Sequence, residues 1–366
     1  MPATNRKGRR PPASRRGSRK RSPVDRRRRR WWGWLFVPAL LVLGYGAFWL
    51  WAAARLETAL DRRFAALARS GFLVTVGNRT ITGFPLAVTI RLTGVDIQAR
   101  RGAPLVAAAE GMGVSWSPLN PGRLDVQLRG VQGRLGLLSA RAAALSGTVV
   151  AAADGMRFAL HARGFVALPG RSGRGGMRPE RMALRLFIPD RSGEQDEEET
   201  ALRLPLAWRV DVVMSDVGIG APAAQAARRG DRFALIAARF AWHGPFALPL
   251  DRRRLAAWRD AGGTLELETL KLALAEATIE AAGTISLDER LRPLAAFDLA
   301  LQHPAPLVNF CVAHGLLTLE DARLISARIA TLRRDNPGRP VSLPLILEDG
   351  RVLLDTLMVG RLSPVA

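Results

Sequence analysis

The stretch Gly83-Phe84-Pro85-Leu86-Ala87-Val88-Thr89-Ile90-Arg91-Leu92 carries the pattern on which the fold prediction rests. After the Gly-Phe-Pro start, every second residue is a large apolar one, and these residues are Leu86, Val88, Ile90 and Leu92. The residues between them are small or polar. Because successive side chains of a strand point to opposite faces, this alternation is typical of an antiparallel strand with one buried and one solvated face.

The same alternation recurs along the rest of the chain. Further apolar residues at this spacing include Leu124, Val126, Leu128, Ile279, Ile285, Leu287 and Leu299. Between Leu267 and Leu270 the apolar positions shift by one residue, which predicts a bulge or turn near Thr269. Many half-apolar strands in succession predict a large β-rich domain in which the sheet is curved.

Helical spacing is confined to a few segments of this domain. Helices are predicted near 251–261, 304–314 and 319–334. The predicted fold class is α+β, mainly antiparallel β, with a single N-terminal transmembrane helix followed by the large curved β-rich domain and a few covering helices. We divide the β-rich domain into a first half at 71–250 and a second half at 251–366.

Residues 31–54 form a run of 24 residues without a charge. As a helix this run is about 36 Å long, which exceeds the roughly 30 Å hydrocarbon layer of a bilayer. Tryptophan rings favour the headgroup region, and tryptophans stand at both ends of the run. We therefore predict a transmembrane anchor whose interfacial residues are Trp31, Trp32, Trp34, Trp49 and Trp51.

Residues 1–30 contain fourteen Lys and Arg residues and one acid, and they supply +13 of the formal net charge of +22. This composition predicts a disordered basic tail that stays in the cytoplasm, which places the main domain in the periplasm and the protein in a bacterial inner membrane as a single-pass protein. Because the basic run ends directly at the apolar segment, we attribute it to topology and to anionic lipid headgroups. We expect inner membrane lipids, and no nucleic acid, as partners.

A cleaved signal peptide is the alternative interpretation of residues 31–54, since Ala52-Ala53-Ala54 resembles a cleavage site. Against cleavage, helical spacing continues past this site in the apolar residues Leu56, Leu60, Phe64 and Leu67. We therefore predict a helical stalk at 55–70 and an uncleaved anchor.

Signatures of catalysis and metal binding are missing from the sequence. It contains no Gly-x-Ser-x-Gly elbow, no P-loop and no His-Glu-x-x-His motif. The sole cysteine, Cys311, rules out an intrachain disulfide and is interpreted as a small buried apolar residue. We expect no enzyme activity, no catalytic residue, no cofactor and no metal.

Three segments resemble DUF2125, an uncharacterised alphaproteobacterial family. They are the Gly-Phe-Pro-Leu start at 83–86, the stretch GGTLELETLKLALAEATIEAAGTISLDERLRPLAAFDLAL at 262–301, and the closing LPLILEDGRVLLDTLMVGRLSP at 343–364. With the tryptophan-rich anchor, the resemblance extends over residues 31–364. It implies an architecture and an envelope location, but it transfers no catalytic residue.

The alternating strands lead to two hypotheses about function. In the first, the apolar face of the sheet is only partly covered by helices and binds lipid or acyl chains in a groove, with a role in envelope maintenance. The candidate groove residues are Leu86, Val88, Ile90, Leu92, Ile285, Leu287 and Leu299. In the second, the domain is a non-catalytic periplasmic scaffold that recruits an envelope protein through a strand edge or an apolar patch. The oligomeric state is not defined by the sequence.

Overall fold

A computed structural model describes residues 24–99, 105–135, 138–169, 176–190, 204–220, 226, 230–246, 251–335 and 337–362. The side chains of residues 24–39, Leu135, Pro169 and Asp335 lie outside this description. The chain divides into two compact units, one up to Trp51 and one from Ala52 onward. Most of the predicted tail at 1–30, and the side chains of Trp31, Trp32 and Trp34, lie outside the described residues.

The described part of the chain contains four long helices and seventeen strands. The helices are α1 Val24–Arg69, α2 Arg252–Asp260, α3 Ala305–Ala313 and α4 Leu319–Asp335. The strands are β1 Phe72–Val76, β2 Arg79–Thr82, β3 Val88–Ala99, β4 Leu105–Ser117, β5 Asn120–Leu135, β6 Leu138–Ala152, β7 Gly155–Arg163, β8 Val166–Pro169, β9 Met177–Pro189, β10 Leu206–Ile219, β11 Arg232–His243, β12 Thr264–Leu274, β13 Ala277–Leu287, β14 Pro293–Gln302, β15 Val341–Glu348, β16 Arg351–Leu354 and β17 Leu357–Arg361.

The strands form one antiparallel sheet that follows the order of the chain. Both β1 and β2 pair with β3, and β3 to β6 then pair in succession. Strands β7 and β8 lie end to end between β6 and β9. From β9 to β17 each strand pairs with the next one. The prediction of a mainly antiparallel β-rich α+β fold is therefore confirmed.

The strand at the Gly-Phe-Pro stretch begins later than its alternation suggests. A turn precedes β3, in which the Ala87 N–H donates a hydrogen bond to the Gly83 carbonyl over 2.9 Å. The turn places Leu86 outside the sheet, and 66% of its side chain is exposed. Leu86 therefore does not continue the face formed by Val88 and Ile90, in contrast to the expectation from spacing alone.

The predicted irregularity near Thr269 is confirmed. The register between β12 and β13 shifts between Leu267 and Leu270, and the register between β11 and β12 shifts at Arg239 and Phe240. A bulge inserts one extra residue into a strand. Leu267 and Leu270 are three residues apart, and the extra residue between them turns both side chains toward the same side of the sheet.

A second irregularity crosses the sheet from β3 to β10. Gly94, Gly130, Gly164 and Asp216 all have φ between 55° and 63°. The registers place Gly94 and Gly130 opposite the same residue of β4, Glu110. A left-handed residue interrupts the strict alternation of faces, and glycine adopts this conformation without strain. Leu92 and Val95 are three residues apart, a spacing that would place them on opposite faces in a regular strand. Because Gly94 interrupts the alternation between them, both belong to one apolar cluster.

Helix α1 has two parts with different surroundings. From Ala52 onward it lies in the unit that holds the sheet, where Leu56, Leu60 and Phe64 pack against Ile90 and Leu92. It ends before Gly71, whose φ of 101° suits glycine. Across the described residues, no helix has enough length and apolar character to pass through a membrane.

Candidate functional site

One face of the sheet is apolar in three adjacent rows of side chains, and we call it the apolar sheet face. The registers of β3 to β7 and β9 to β15 place one residue of each of these twelve strands in every row. The first row consists of Leu92, Met112, Leu128, Leu145, Ala162, Met182, Met214, Ile236, Leu272, Ile279, Leu301 and Val341. The second consists of Ile90, Val114, Val126, Gly147, Leu160, Leu184, Val212, Ala238, Leu270, Ala281, Leu299 and Leu343. The third consists of Val88, Trp116, Leu124, Val149, Phe158, Leu186, Val210, Phe240, Leu267, Gly283, Phe297 and Leu345.

No residue of these three rows is charged, and none carries a hydroxyl or amide side chain. With neighbouring strands about 4.8 Å apart, twelve strands give the face a width of roughly 50 Å along the sheet. The intervening residues, such as Arg91, Gln127, His161 and Arg185, are exposed on the other face. The sheet therefore has one continuous apolar side and one polar side.

Helices cover the two ends of the apolar sheet face. At one end α1 packs on β3, where Val88, Ile90 and Leu92 are at most 1% exposed. At the other end Ile325 and Ile329 of α4 pack against a cluster that includes Leu301 and Val341. Burial by these helices stabilises both ends, since each fully buried apolar side chain contributes about 1.5–3 kcal/mol.

Helices α2 and α3 cover further parts of β9 to β13. The Trp258 indole of α2 stacks on Trp242 of β11 with ring centroids 4.3 Å apart, and its N–H donates to the His243 carbonyl over 2.8 Å. The Phe310 ring of α3 meets Phe233 of β11 edge to face at 5.1 Å. Strands β10 to β12 therefore contact α2 near one end and α3 near the other.

The middle of the apolar sheet face remains partly accessible to solvent. On β5, β6, β7 and β9 its large side chains are half-buried, whereas the corresponding residues of β3 are fully buried. Side chains of the second and third rows on β10 to β14 are half-buried as well, but these strands also contact α2, α3 or α4. Apart from Met182, which packs on the cluster that includes Met214, the half-buried residues of β5, β6, β7 and β9 are Leu124, Val126, Leu128, Leu145, Val149, Phe158, Leu160, Leu184 and Leu186. They form the open section of the apolar sheet face, about four strands wide.

The candidate groove residues from the sequence are distributed unevenly. Val88, Ile90, Leu92 and Leu299 lie in the three rows, but α1 packs on Ile90 and Leu92, and Val88 is fully buried. Ile285 and Leu287 lie further along β13, and Leu287 packs on the cluster that includes Trp258. The open section itself was missed, although Leu124, Val126 and Leu128 show the same alternation. Their exposure depends on which strands the helices cover, and spacing does not encode that.

Several titratable groups among the described residues form structural pairs. His314 lies with Nε2 3.0 Å from Asp231 Oδ1, and its ring lies 4.3 Å from Phe310. Burial raises the pKa of the half-buried Cys311 thiol, which disfavours the reactive thiolate. Within the described ranges, no three His, Cys, Asp or Glu residues are placed to hold a metal ion.

The fold and the apolar sheet face define a class, that of β-rich proteins in which one meandering sheet exposes part of its apolar side. The chain belongs to the DUF2125 family, described as an uncharacterized protein conserved in bacteria, and the match covers residues 49–363. Residues 31–48 lie outside the match, so the resemblance starts later than the sequence suggested. Comparisons with curated proteins and with solved structures give no match.

Proposed function

We propose that the protein binds the acyl chains of lipids along the open section of the apolar sheet face. The observation that carries this proposal is the partial exposure of nine large apolar side chains in the middle of a face without a polar residue. Soluble proteins seldom expose contiguous apolar patches of more than a few hundred Å² unless the patch binds something. A surface of this composition suits a ligand that is apolar along its length.

The energetics of acyl chains agree with such a role. Each methylene that leaves water contributes about 0.8 kcal/mol, whether it enters a bilayer or an apolar protein surface. Ten methylenes on the open section would gain about 8 kcal/mol, close to what they gain in the bilayer. The free energy of moving a lipid between the membrane and the protein is then close to zero, so that lipid moves readily in either direction, as envelope maintenance requires.

Membrane attachment in the bacterial envelope is the second part of the proposal. It is supported by the charge-free run 31–54 and the basic tail before it. The structure describes side chains of this run from Leu40 on, and Leu40 and Leu43 are 74% and 73% exposed. Resistance of the full chain to alkaline extraction from membranes would support an anchor. An N-terminus near Arg55 in the mature protein would contradict it.

Site-specific photo-crosslinking in cells tests where lipid binds. A photoreactive amino acid at Leu160 faces the open section, and the matched position His161 faces the polar side of the same strand. We expect lipid adducts from position 160 and few from position 161. Equal lipid labelling at both positions would overturn the proposal.

A scaffold that recruits an envelope protein is the second candidate function. It is favoured by two exposed leucines, Leu316 in the connection after α3 and Leu319 at the first residue of α4, which are 63% and 68% exposed. A crosslinker at Leu319 should then give one dominant protein adduct. The lipid-binding function predicts no single protein adduct at this position, so the same experiment separates the two candidates.

A further inference from the structure

A hollow of about 360 Å³ lies on the side of the sheet opposite to the residues that pack on α1. Two cross-strand rows line it. The first row is Val106, Arg134, Ser139 and Leu168, and the second is Ala108, Gln132, Arg141 and Val166. In β4 the residue between the two rows, Ala107, is opposite Ile97, which packs with the α1 cluster. The hollow is therefore separate from the apolar sheet face.

Two arginines converge on this hollow. Arg134 pairs with Ser139 and Arg141 pairs with Gln132, so the two arginines are diagonal neighbours on β5 and β6. Diagonal neighbours on one face have Cβ atoms roughly 7–8 Å apart, a span that two guanidinium groups bridge easily around one anion. Two planar, positively charged guanidinium groups therefore line the same hollow.

The arginines lack acidic partners. Among the described residues neither Arg134 nor Arg141 takes part in an ion pair, and no acid lines the hollow. Within the part of the chain that the structure describes, no acid neutralises these two arginines, and an anionic ligand would do so.

Besides the polar Gln132 and Ser139, the remaining lining is apolar. Val106, Val166 and Leu168 accompany the arginines. A volume of about 360 Å³ falls in the range of small-molecule sites, which are about 300–1,000 Å³. A bare phosphate would leave the apolar side chains without a partner, whereas an ester with an apolar group would contact them.

We propose that this hollow binds a phosphate monoester, with the phosphate between Arg134 and Arg141 and its apolar group on Val106, Val166 and Leu168. The ester is either a free small molecule or the headgroup end of a lipid. This site does not depend on the proposed acyl-chain function, because the two surfaces lie on opposite sides of the sheet and share no residue.

Isothermal titration calorimetry of the detergent-solubilised full chain tests the site with three probes: inorganic phosphate, phenyl phosphate and dihexanoyl phosphatidic acid. Phenyl phosphate has no acyl chain, so its binding does not report on the apolar sheet face. The double variant Arg134→Gln/Arg141→Gln is compared with Arg129→Gln/Arg163→Gln, which removes the same charge from exposed arginines outside the hollow.

We expect phenyl phosphate to bind at least tenfold tighter than inorganic phosphate. Its affinity should fall at least tenfold in the Arg134/Arg141 variant and less than twofold in the control variant. Competition by dihexanoyl phosphatidic acid at one equivalent would assign the site to a lipid headgroup, and failure to compete would assign it to a free ester. Absence of saturable binding, equal losses in both variants, or equal affinities for the two phosphates would overturn the proposal.

Discussion

The indole rings of Trp242 and Trp258 stack with their centroids 4.3 Å apart, and this contact joins helix α2 to strand β11. Trp258 is 3% exposed and Trp242 is 7% exposed, and Leu255 packs into the same cluster. The cluster also includes Leu291 from the loop between β13 and β14. Helix α2 is therefore held on the sheet by one aromatic contact at the centre of a small core.

Replacement of Trp258 by alanine should destabilise the protein by about 3–5 kcal/mol, because it leaves a cavity and removes the partner of the His243 carbonyl. The free energy of unfolding measured in urea checks this value. Arg253→Ala on the exposed side of the same helix is the matched control and should change it by less than about 0.5 kcal/mol. Equal effects of the two substitutions would show that α2 is not held by this contact.

Gly130→Ala should destabilise the protein by about 1–2 kcal/mol, since φ at this residue is 58° and a Cβ is strained there. The added Cβ would also meet the Glu110 side chain, so Glu110 must move. Gly111→Ala on β4 is the control, because its Cβ would find an ordinary contact at 3.8 Å from the Leu92 carbonyl. Thermal unfolding of both variants tests the difference, and equal melting temperatures would argue against the line of left-handed residues.

The ion pair between Asp61 and Arg79 predicts a specific pH dependence. Arg79 of β2 donates to Asp61 and Glu57 of α1 at 2.6 and 2.7 Å. The hydrogen bond from Arg79 lowers the pKa of Asp61 below its ordinary 3.8. A lowered pKa means that this stabilisation is complete above the unfolded-state value and is lost as pH falls through the folded-state value.

Asp61→Asn should therefore be less stable than the wild type at pH 6, and the two should converge in stability as the pH falls through the lowered pKa of Asp61. The pair is exposed to solvent, so the difference should shrink in high salt. Asp298→Asn, whose carboxylate has no ion-pair partner among the residues described, is the control and should follow the wild type at every pH. A constant difference between Asp61→Asn and wild type across this range would contradict the assignment.

Much of the fold was predictable because period two is a local property. The alternation around Ile90 predicts a half-buried strand, and the shift between Leu267 and Leu270 predicts a bulge. The left-handed residues that cross the sheet were harder to predict. Gly94 and Gly130 are neighbours only because both pair opposite Glu110 of β4, and this pairing is not visible in the sequence. Pairing partners depend on the register of strands that are distant in the sequence, and alternation alone does not define that register.

The candidate site was predictable in kind and less so in position. Alternation identified apolar faces, but it treated Ile90 and Val126 alike. Ile90 is fully buried because Leu56, Leu60 and Phe64 of α1 cover it, whereas Val126 is half-buried. A sequence without tertiary contacts does not tell which strands a helix covers. The sequence therefore identifies residues that could bind a ligand, but not which of them stay accessible.

The open section of the apolar sheet face is tested most directly by substitutions at adjacent residues of β9. Leu184 belongs to the second apolar row, and Ala183 points to the opposite side of the same strand. Leu184→Glu places a charge among apolar side chains that would contact an acyl chain, while Ala183→Glu places it on the polar side. Val126→Glu on β5 repeats the test at a second position of the open section.

Native mass spectrometry of the full chain purified from membranes, followed by extraction of bound lipid, is the decisive measurement. We predict phospholipid adducts on the wild type and on Ala183→Glu, and at least a tenfold loss of adducts on Leu184→Glu and Val126→Glu, with all four proteins folded by circular dichroism. A wild type without lipid, or lipid retained equally by Leu184→Glu and Ala183→Glu, would contradict acyl-chain binding at this face.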